Sequence, residues 1–157
     1  MRYLLQHGTV WDPGGGKSLD ILVEGERILK RAPELAAEPG EQVLDLTGMT
    51  VFPGFFNAHV HLYGVHGPLP DDLIRRFALG GVTTLRDMGM TSPEPYASYA
   101  AWLSERTGPE YPTILHSGKF LCGEHTYGNI HPSGQRIGRL VETEEEARQA
   151  VDEMLAL

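Results

Sequence analysis

Apolar and polar positions alternate over short stretches in the first fifty residues and switch to longer, helix-spaced patterns after them. Tyr3 to Leu5 and Thr9 to Trp11 read as strands, the second closed by the turn Asp12-Pro13-Gly14-Gly15-Gly16. Asp20 to Val23 and Arg27 to Lys30 flank Glu24-Gly25-Glu26, a hairpin signal. A Pro/Ala/Glu-rich connector, Ala32 to Gly40, leads to a strand over Gln42 to Leu46 and a turn at Thr47-Gly48. Residues 1–50 therefore predict a small antiparallel sheet, mostly local.

From Val51 the rhythm becomes strand, then helix, repeated. An apolar, strand-like run reaches His61, and Asp71 to Ala78 follows as a helix with a stripe at Leu73, Ile74 and Phe77 and a Gly80-Gly81 stop. Val82 to Leu85 is β-branched and reads as a second strand. Ser92 caps a helix with Pro93 in its first position, and Tyr96, Tyr99, Ala100 and Leu103 share one face; Tyr96, Tyr99 and Trp102 read as packing residues. Thr113 to Leu115 opens a third strand with room to run to Phe120. The loop from Cys122 to Gly138 is long and rich in Gly, His and Asn, and loops of that length in a compact domain tend to be functional. Thr143, with Glu146 three residues on, forms a capping box for a last helix striped by Ala147, Ala150, Val151, Met154 and Leu155. No stop signal follows before Ala156-Leu157, which reads as a truncated chain. Strands alternating with helices predict an α/β fold with parallel βα units over 51–157.

Composition narrows the function. At 157 residues, with 41% apolar and 22% charged residues, the chain fits one soluble domain, alone or with a small appendage. A net charge of −8 without a basic cluster excludes a nucleic-acid partner, and the acidic run Glu142 to Glu146 reads as a solvated helix face. The N-terminus meets polar residues too early for a signal peptide, and no apolar run reaches the roughly 18 residues of a membrane span. Cys122 is the only cysteine, so an internal disulfide is ruled out and a reducing cytoplasm is the expected compartment. Without a partner histidine in a protease-like signature, Cys122 is not read as a nucleophile.

The chemistry gathers at the end of the first long strand. His59 and His61 are two residues apart, so both project to one face while Val60 and Leu62 project to the other. Two neutral imidazoles make half a site for a divalent ion such as zinc, whose catalytic sites ordinarily take three protein ligands and a water. Arg86 and Asp87, at the end of the next strand, read as an ion pair or turn cap in preference to one of them lining the pocket. His7, His66 and His116 carry no pattern.

The run Pro53-Gly54-Phe55-Phe56-Asn57-Ala58-His59-Val60-His61, followed by Gly80-Gly81-Val82-Thr83-Thr84-Leu85-Arg86-Asp87-Met88-Gly89, resembles the start of the metal-dependent amidohydrolase superfamily, in the subgroup similar to imidazolonepropionase and prolidase-like hydrolases. The resemblance runs from about Leu19 to Leu157, with Asn57 standing where many relatives carry Asp. It implies a β-sandwich segment over 1–50, completed in such proteins by strands from the far C-terminus, and the first three βα units of a (β/α)8 barrel over 51–157. At about 31 residues per unit, the 107 residues from Val51 onward suffice for about three and a half units.

It implies too that His59 and His61 ligate a divalent metal, most simply zinc, and that His125 faces a small-molecule substrate. His125 sits where the subgroup has a Gly-Gly-His-Gly stretch, with Glu124 replacing the second Gly. The other ligands and the acid–base Asp of such enzymes lie on strands four to eight, so no catalytic residue is expected within this chain. The implied activity is hydrolysis of amide-type C–N bonds (cyclic amides, N-acyl amino acids or dipeptides) by the full-length protein, the 157-residue chain being inactive alone and prone to self-association through open sheet edges. Two alternatives stay open: a non-catalytic fragment, or a small metal-binding protein whose site is closed by His125 or His131.

Overall fold

The structure, a computed structural model, describes residues 1–156, so that Leu157 of the expected barrel segment lies outside the described residues. It divides into two compact units, Met1–Pro53 and the residues from Gly54 onward.

The first unit holds seven strands: β1 (Arg2–Gln6), β2 (Thr9–Asp12), β3 (Gly15–Ser18), β4 (Asp20–Glu24), β5 (Arg27–Ala32), β6 (Gln42–Asp45) and β7 (Thr50–Val51). They form two sheets, ordered β5-β4-β1-β6 and β3-β2-β7. The β4–β5 hairpin turns at Gly25, as its sequence predicts. β3 was hidden by its composition, since Gly15-Gly16-Lys17-Ser18 reads as the tail of a turn, yet it pairs antiparallel with β2. The expectation of an antiparallel, local sheet is corrected at two places: β6 runs parallel to β1, and β7 parallel to β2. Parallel neighbours need a crossover instead of a tight turn. The 33–41 connector supplies it, anchored by Leu35, which is buried and bonded at both ends: its N–H donates to Asp20 Oδ2 at 2.9 Å and its carbonyl accepts from Gln6 Nε2 at 2.8 Å. Leu4, Val10 and Ile21 are also buried.

The strand expected from Val51 to His61 is interrupted. Val51 belongs to β7, opposite Val10. Pro53 has no N–H to give a ladder, and pairing resumes only at β8 (Phe55–Val60), with His61 just beyond its end. There follow a small hairpin, β9 (Tyr63–Gly64) and β10 (Gly67–Pro68), helix α1 (Asp71–Leu79), β11 (Val82–Asp87), helix α2 (Tyr96–Ser104), β12 (Thr113–His116), β13 (Leu121–Cys122), β14 (Arg139–Leu140) and helix α3 (Glu144–Leu155). β8, β11 and β12 form a parallel sheet in the order β12-β11-β8, with α1 and α2 as the crossovers.

α1 stops where Gly80-Gly81 predicts, with Gly80 N–H on Arg76 O at 2.9 Å. Of its stripe, Ile74 is fully buried and Leu73 is exposed. α2 starts later than expected, at Tyr96. Pro95 is the reason: a residue before proline is pushed out of the helical region, so Glu94 cannot continue a helix begun at Pro93. Ser92 Oγ instead accepts Glu94 N–H at 3.3 Å in a turn. β12 ends at His116 and not at Phe120, because Gly118 takes a left-handed conformation, φ +83°. The Thr143–Glu146 capping box forms as read, each side chain accepting the other's backbone N–H at 3.2 Å. No helix among the described residues is long and apolar enough to cross a membrane.

Gly54, just before β8, has a strict steric reason. A Cβ there would stand 2.0 Å from Thr83 Oγ1 and 2.8 Å from Thr83 Cβ. Gly54→Ala is expected to cost about 1–3 kcal/mol through forced displacement of β11 from β8. Urea unfolding measures it, and Thr83→Ala in the same chain should restore only part of the loss, since it removes the Oγ1 and Cγ2 contacts and leaves the 2.8 Å Cβ contact; a neutral Gly54→Ala would contradict this packing.

Candidate functional site

β8 delivers His59 and His61 to one place. Their Nε2 atoms lie 3.3 Å apart and their ring centroids 5.2 Å apart, nearly perpendicular. The pleat accounts for the common direction, while Leu62, of opposite parity, is buried. Pairing of β8 with β11 shifts register between Leu85 and Asp87, so the irregularity sits at the level of the histidines, opposite Val60.

Each histidine is held by a neighbour. His61 Nδ1 lies 2.9 Å from the Gly89 carbonyl. A carbonyl only accepts, so Nδ1 carries the proton and Nε2 keeps a lone pair. The Phe120 ring meets the His61 ring edge-on at 5.6 Å. His59 is fixed through its backbone, whose N–H donates to Asn57 Oδ1 at 3.2 Å. Asn57 supplies that acceptor with its amide oxygen, the function a carboxylate oxygen serves as well.

The spacing suits a metal ion. Two imidazole nitrogens each about 2.0–2.1 Å from a tetrahedral ion stand about 3.3–3.4 Å apart. The Nε2–Nε2 separation of 3.3 Å matches, and the proton on His61 Nδ1 leaves the ligating atom free. The donor set is two imidazoles: no group of three or more His, Cys, Asp or Glu side chains gathers among the described residues.

Neither His125 nor His131 joins this pair in a group of three among the described residues. His125 is exposed and left-handed, φ +61°, in a turn closed by Thr126 Oγ1 on Gly123 O at 2.9 Å. His131 has both ring nitrogens engaged inside its own loop, Nδ1 with Ser133 Oγ at 2.7 Å and Nε2 with the Tyr127 hydroxyl at 3.0 Å. That engagement works against a metal site closed by His131. The loop folds back on Gly128, whose carbonyl accepts from Ile137 and Gly138, around buried Cys122 and Ile137. Arg86 and Asp87 divide by strand alternation, Arg86 exposed and Asp87 fully buried, so of the two uses read for them the turn cap is the one seen. Asp87 Oδ1 accepts Gly89 N–H at 3.0 Å, and Oδ2 accepts Leu62 N–H at 3.1 Å and the Tyr99 hydroxyl at 2.6 Å. Burial, with the bond to Asp87 second, pushes the Tyr99 hydroxyl far above the ordinary tyrosine range, so it stays a donor. Sequence reasoning missed what this cluster holds. Its signal was the alternation Leu85-Arg86-Asp87, which puts an acidic residue on the buried side beside a glycine.

No family model matches the chain. A dihydroorotase of Bacillus pumilus (strain SAFR-032) is 35% identical over 111 residues, which is 68% of this chain and 26% of that protein. The chain thus spans about a quarter of the length of that curated relative. Among solved structures, a prolidase complexed with N-methylphosphonate-L-proline superposes with a TM-score of 0.74 at 25% identity, over 99% of this chain and 44% of the other. A D-hydantoinase (dihydropyrimidinase) from Thermus sp. gives a TM-score of 0.57 at 25% identity, over 96% of this chain and 31% of the other. Sequence likeness and fold likeness converge on one group of proteins: the chain belongs to the metal-dependent amidohydrolase superfamily.

Proposed function

We propose that His59 and His61 are two ligands of a divalent metal, zinc, in a hydrolase of amide-type C–N bonds. In this reading the chain supplies a β-sandwich segment and the first three βα units of a (β/α)8 barrel, and the histidines stand at the C-terminal end of a barrel strand, where such barrels carry their sites. The observation that carries it is the 3.3 Å Nε2 separation together with the Nδ1 proton locked on Gly89. The relatives' names support the reaction class, dihydroorotase, prolidase and hydantoinase all denoting hydrolases of amide-type bonds. When bound, the metal lowers the pKa of a water toward neutrality and polarises the scissile carbonyl. The chain's own residues hold the two Nε2 lone pairs on one point, keep His61 in the ligating tautomer, and wall one side of the site with Phe120. His125, on an exposed turn after the third parallel strand, is the substrate contact in this reading; the substrates are cyclic amides, N-acyl amino acids or dipeptides.

Calorimetric zinc titration tests it. Two imidazoles alone bind weakly, so micromolar or looser affinity is expected, and the double variant His59→Ala/His61→Ala should abolish it. Zinc binding that survives the double variant would move the site elsewhere in the chain.

A further inference from the structure

We infer that Asp87 is the positioning residue of the metal half-site, acting on His61 from both sides without touching it. The inference rests on the metal-ligand reading above for its consequence, though not for its geometry.

The bonds close into a ring. The His61 imidazole donates from Nδ1 to Gly89 O at 2.9 Å. Gly89 donates its N–H to Asp87 Oδ1 at 3.0 Å. The other oxygen of that carboxylate takes the N–H of Leu62, the residue that follows His61, at 3.1 Å. One fully buried side chain therefore fixes the backbone next to His61 and the carbonyl that orients its ring. Tyr99 loads the same Oδ2 from the side, at 2.6 Å. Asp87 is itself anchored, its carbonyl accepting from Ser117 N–H at 3.1 Å and Ser117 Oγ at 3.3 Å on the neighbouring chain segment after β12.

Gly89 makes the arrangement possible. Its φ of +119° aims N–H and carbonyl at two different partners in a conformation that side chains rarely take, and a Cβ would approach Gly118 O and the Phe120 ring to 3.3 Å. A peptide in that region has no intrinsic reason to present its carbonyl to His61. The carboxylate supplies one. Only an acceptor with two oxygens satisfies both backbone donors: in Asp87→Asn one position becomes an NH2 facing an N–H. One peptide is then released, either that of Gly89, which loses its aim, or that of Leu62, which loosens the strand end. Groups that orient a metal-binding imidazole through its second nitrogen typically change metal affinity about 10–100-fold when removed. The same size of effect is expected here, transmitted through one glycine.

The test reads the imidazole directly, in the metal-free 157-residue chain, by long-range 1H–15N correlation spectra of the histidine rings. His61 should be in the Nδ1–H tautomer in the wild type and in Tyr99→Phe, which keeps both backbone bonds of the carboxylate. In Asp87→Asn it should become a mixture, and zinc affinity by calorimetry should fall about 10–100-fold, against a change under about 3-fold for Tyr99→Phe. Asp87→Ser, whose one oxygen cannot stand at both carboxylate positions, carries the same expectation if Asp87→Asn does not fold. An Nε2–H tautomer in the wild type, or a folded Asp87 variant with wild-type spectra and wild-type affinity, overturns the inference. So does a Tyr99→Phe effect as large as that of Asp87→Asn, since packing and not the carboxylate would then be responsible. If the wild type shows the Nδ1–H tautomer and Asp87→Asn loses it while neither binds zinc, the positioning stands and the metal reading fails.

Discussion

Tyr99→Ala is expected to destabilise the second unit by about 3–5 kcal/mol, a large fraction of the 5–15 kcal/mol that holds a typical domain together. The ring is fully buried and central to an aromatic cluster: edge-on to Tyr63 at 5.8 Å, stacked near Trp102 at 6.0 Å, and edge-on to His116 at 5.7 Å. Met90 and Tyr63 complete the buried part, with Tyr96, Trp102 and Leu103 packed against it. Rigid aromatic walls from a helix, a hairpin and a strand end do not collapse readily into the space of a missing ring, so most of the cavity cost persists. Tyr99→Phe keeps the ring and removes only the hydroxyl on Asp87, for about 1–3 kcal/mol. Urea unfolding followed by Trp102 fluorescence in a Trp11→Phe background separates the two contributions. A Tyr99→Ala loss below about 1 kcal/mol would mean that the cluster repacks freely.

That cluster shows how much of the fold was legible in the sequence. Helical spacing alone put Tyr96, Tyr99 and Trp102 together as packing residues, and a three- to four-residue period leaves little choice. The same local rules found the Gly25 hairpin, the Gly80-Gly81 stop and the Thr143–Glu146 box, each a signal complete within about six residues. What stayed hidden depends on partners distant in sequence. β6 lies beside β1 in parallel because a crossover brings it there, and nothing in Gln42 to Asp45 says so. α2 starts at Tyr96 and not at Pro93 because Pro95 keeps Glu94 out of the helical region, whatever cap Ser92 offers. At the site, period two was enough to pair His59 with His61, since strand geometry fixes that relation whatever surrounds it. The hold of Gly89 on His61 needed a second strand in a particular register, and a register shift is invisible in one strand's sequence.

In the first unit the largest single effect is expected at Asp20, and it should depend on pH. Asp20 is buried, 3% exposed, and its carboxylate accepts His7 N–H and Leu35 N–H, each at 2.9 Å. Burial by itself raises the carboxyl pKa; the two backbone bonds and the Gln6 side chain outweigh it, and the pKa lies below its ordinary value of 3.8. A carboxyl whose folded-state pKa is depressed contributes stability that is complete above its unfolded value and disappears as pH falls through the folded one. Acid should therefore loosen the β4–connector junction below about pH 4, while the window from about pH 5 upward stays flat for this group. Asp20→Ala leaves two backbone donors without their acceptor, one of them buried, at a cost of about 2–4 kcal/mol. Asp20→Asn should cost nearly as much, because its NH2 takes the place of one of the two oxygens and sets a donor against an N–H. Amide exchange at Leu35 and at Leu4 reports the opening locally, measured from about pH 5 down to about pH 3. In wild type the protection at Leu35 should fall with acid, and in Asp20→Ala it should be low throughout and nearly independent of pH over that range. An acid profile that Asp20→Ala leaves unchanged would assign the sensitivity to the exposed carboxylates, of which Asp45, bonded to Thr47 and His7, also has its pKa held below the ordinary value.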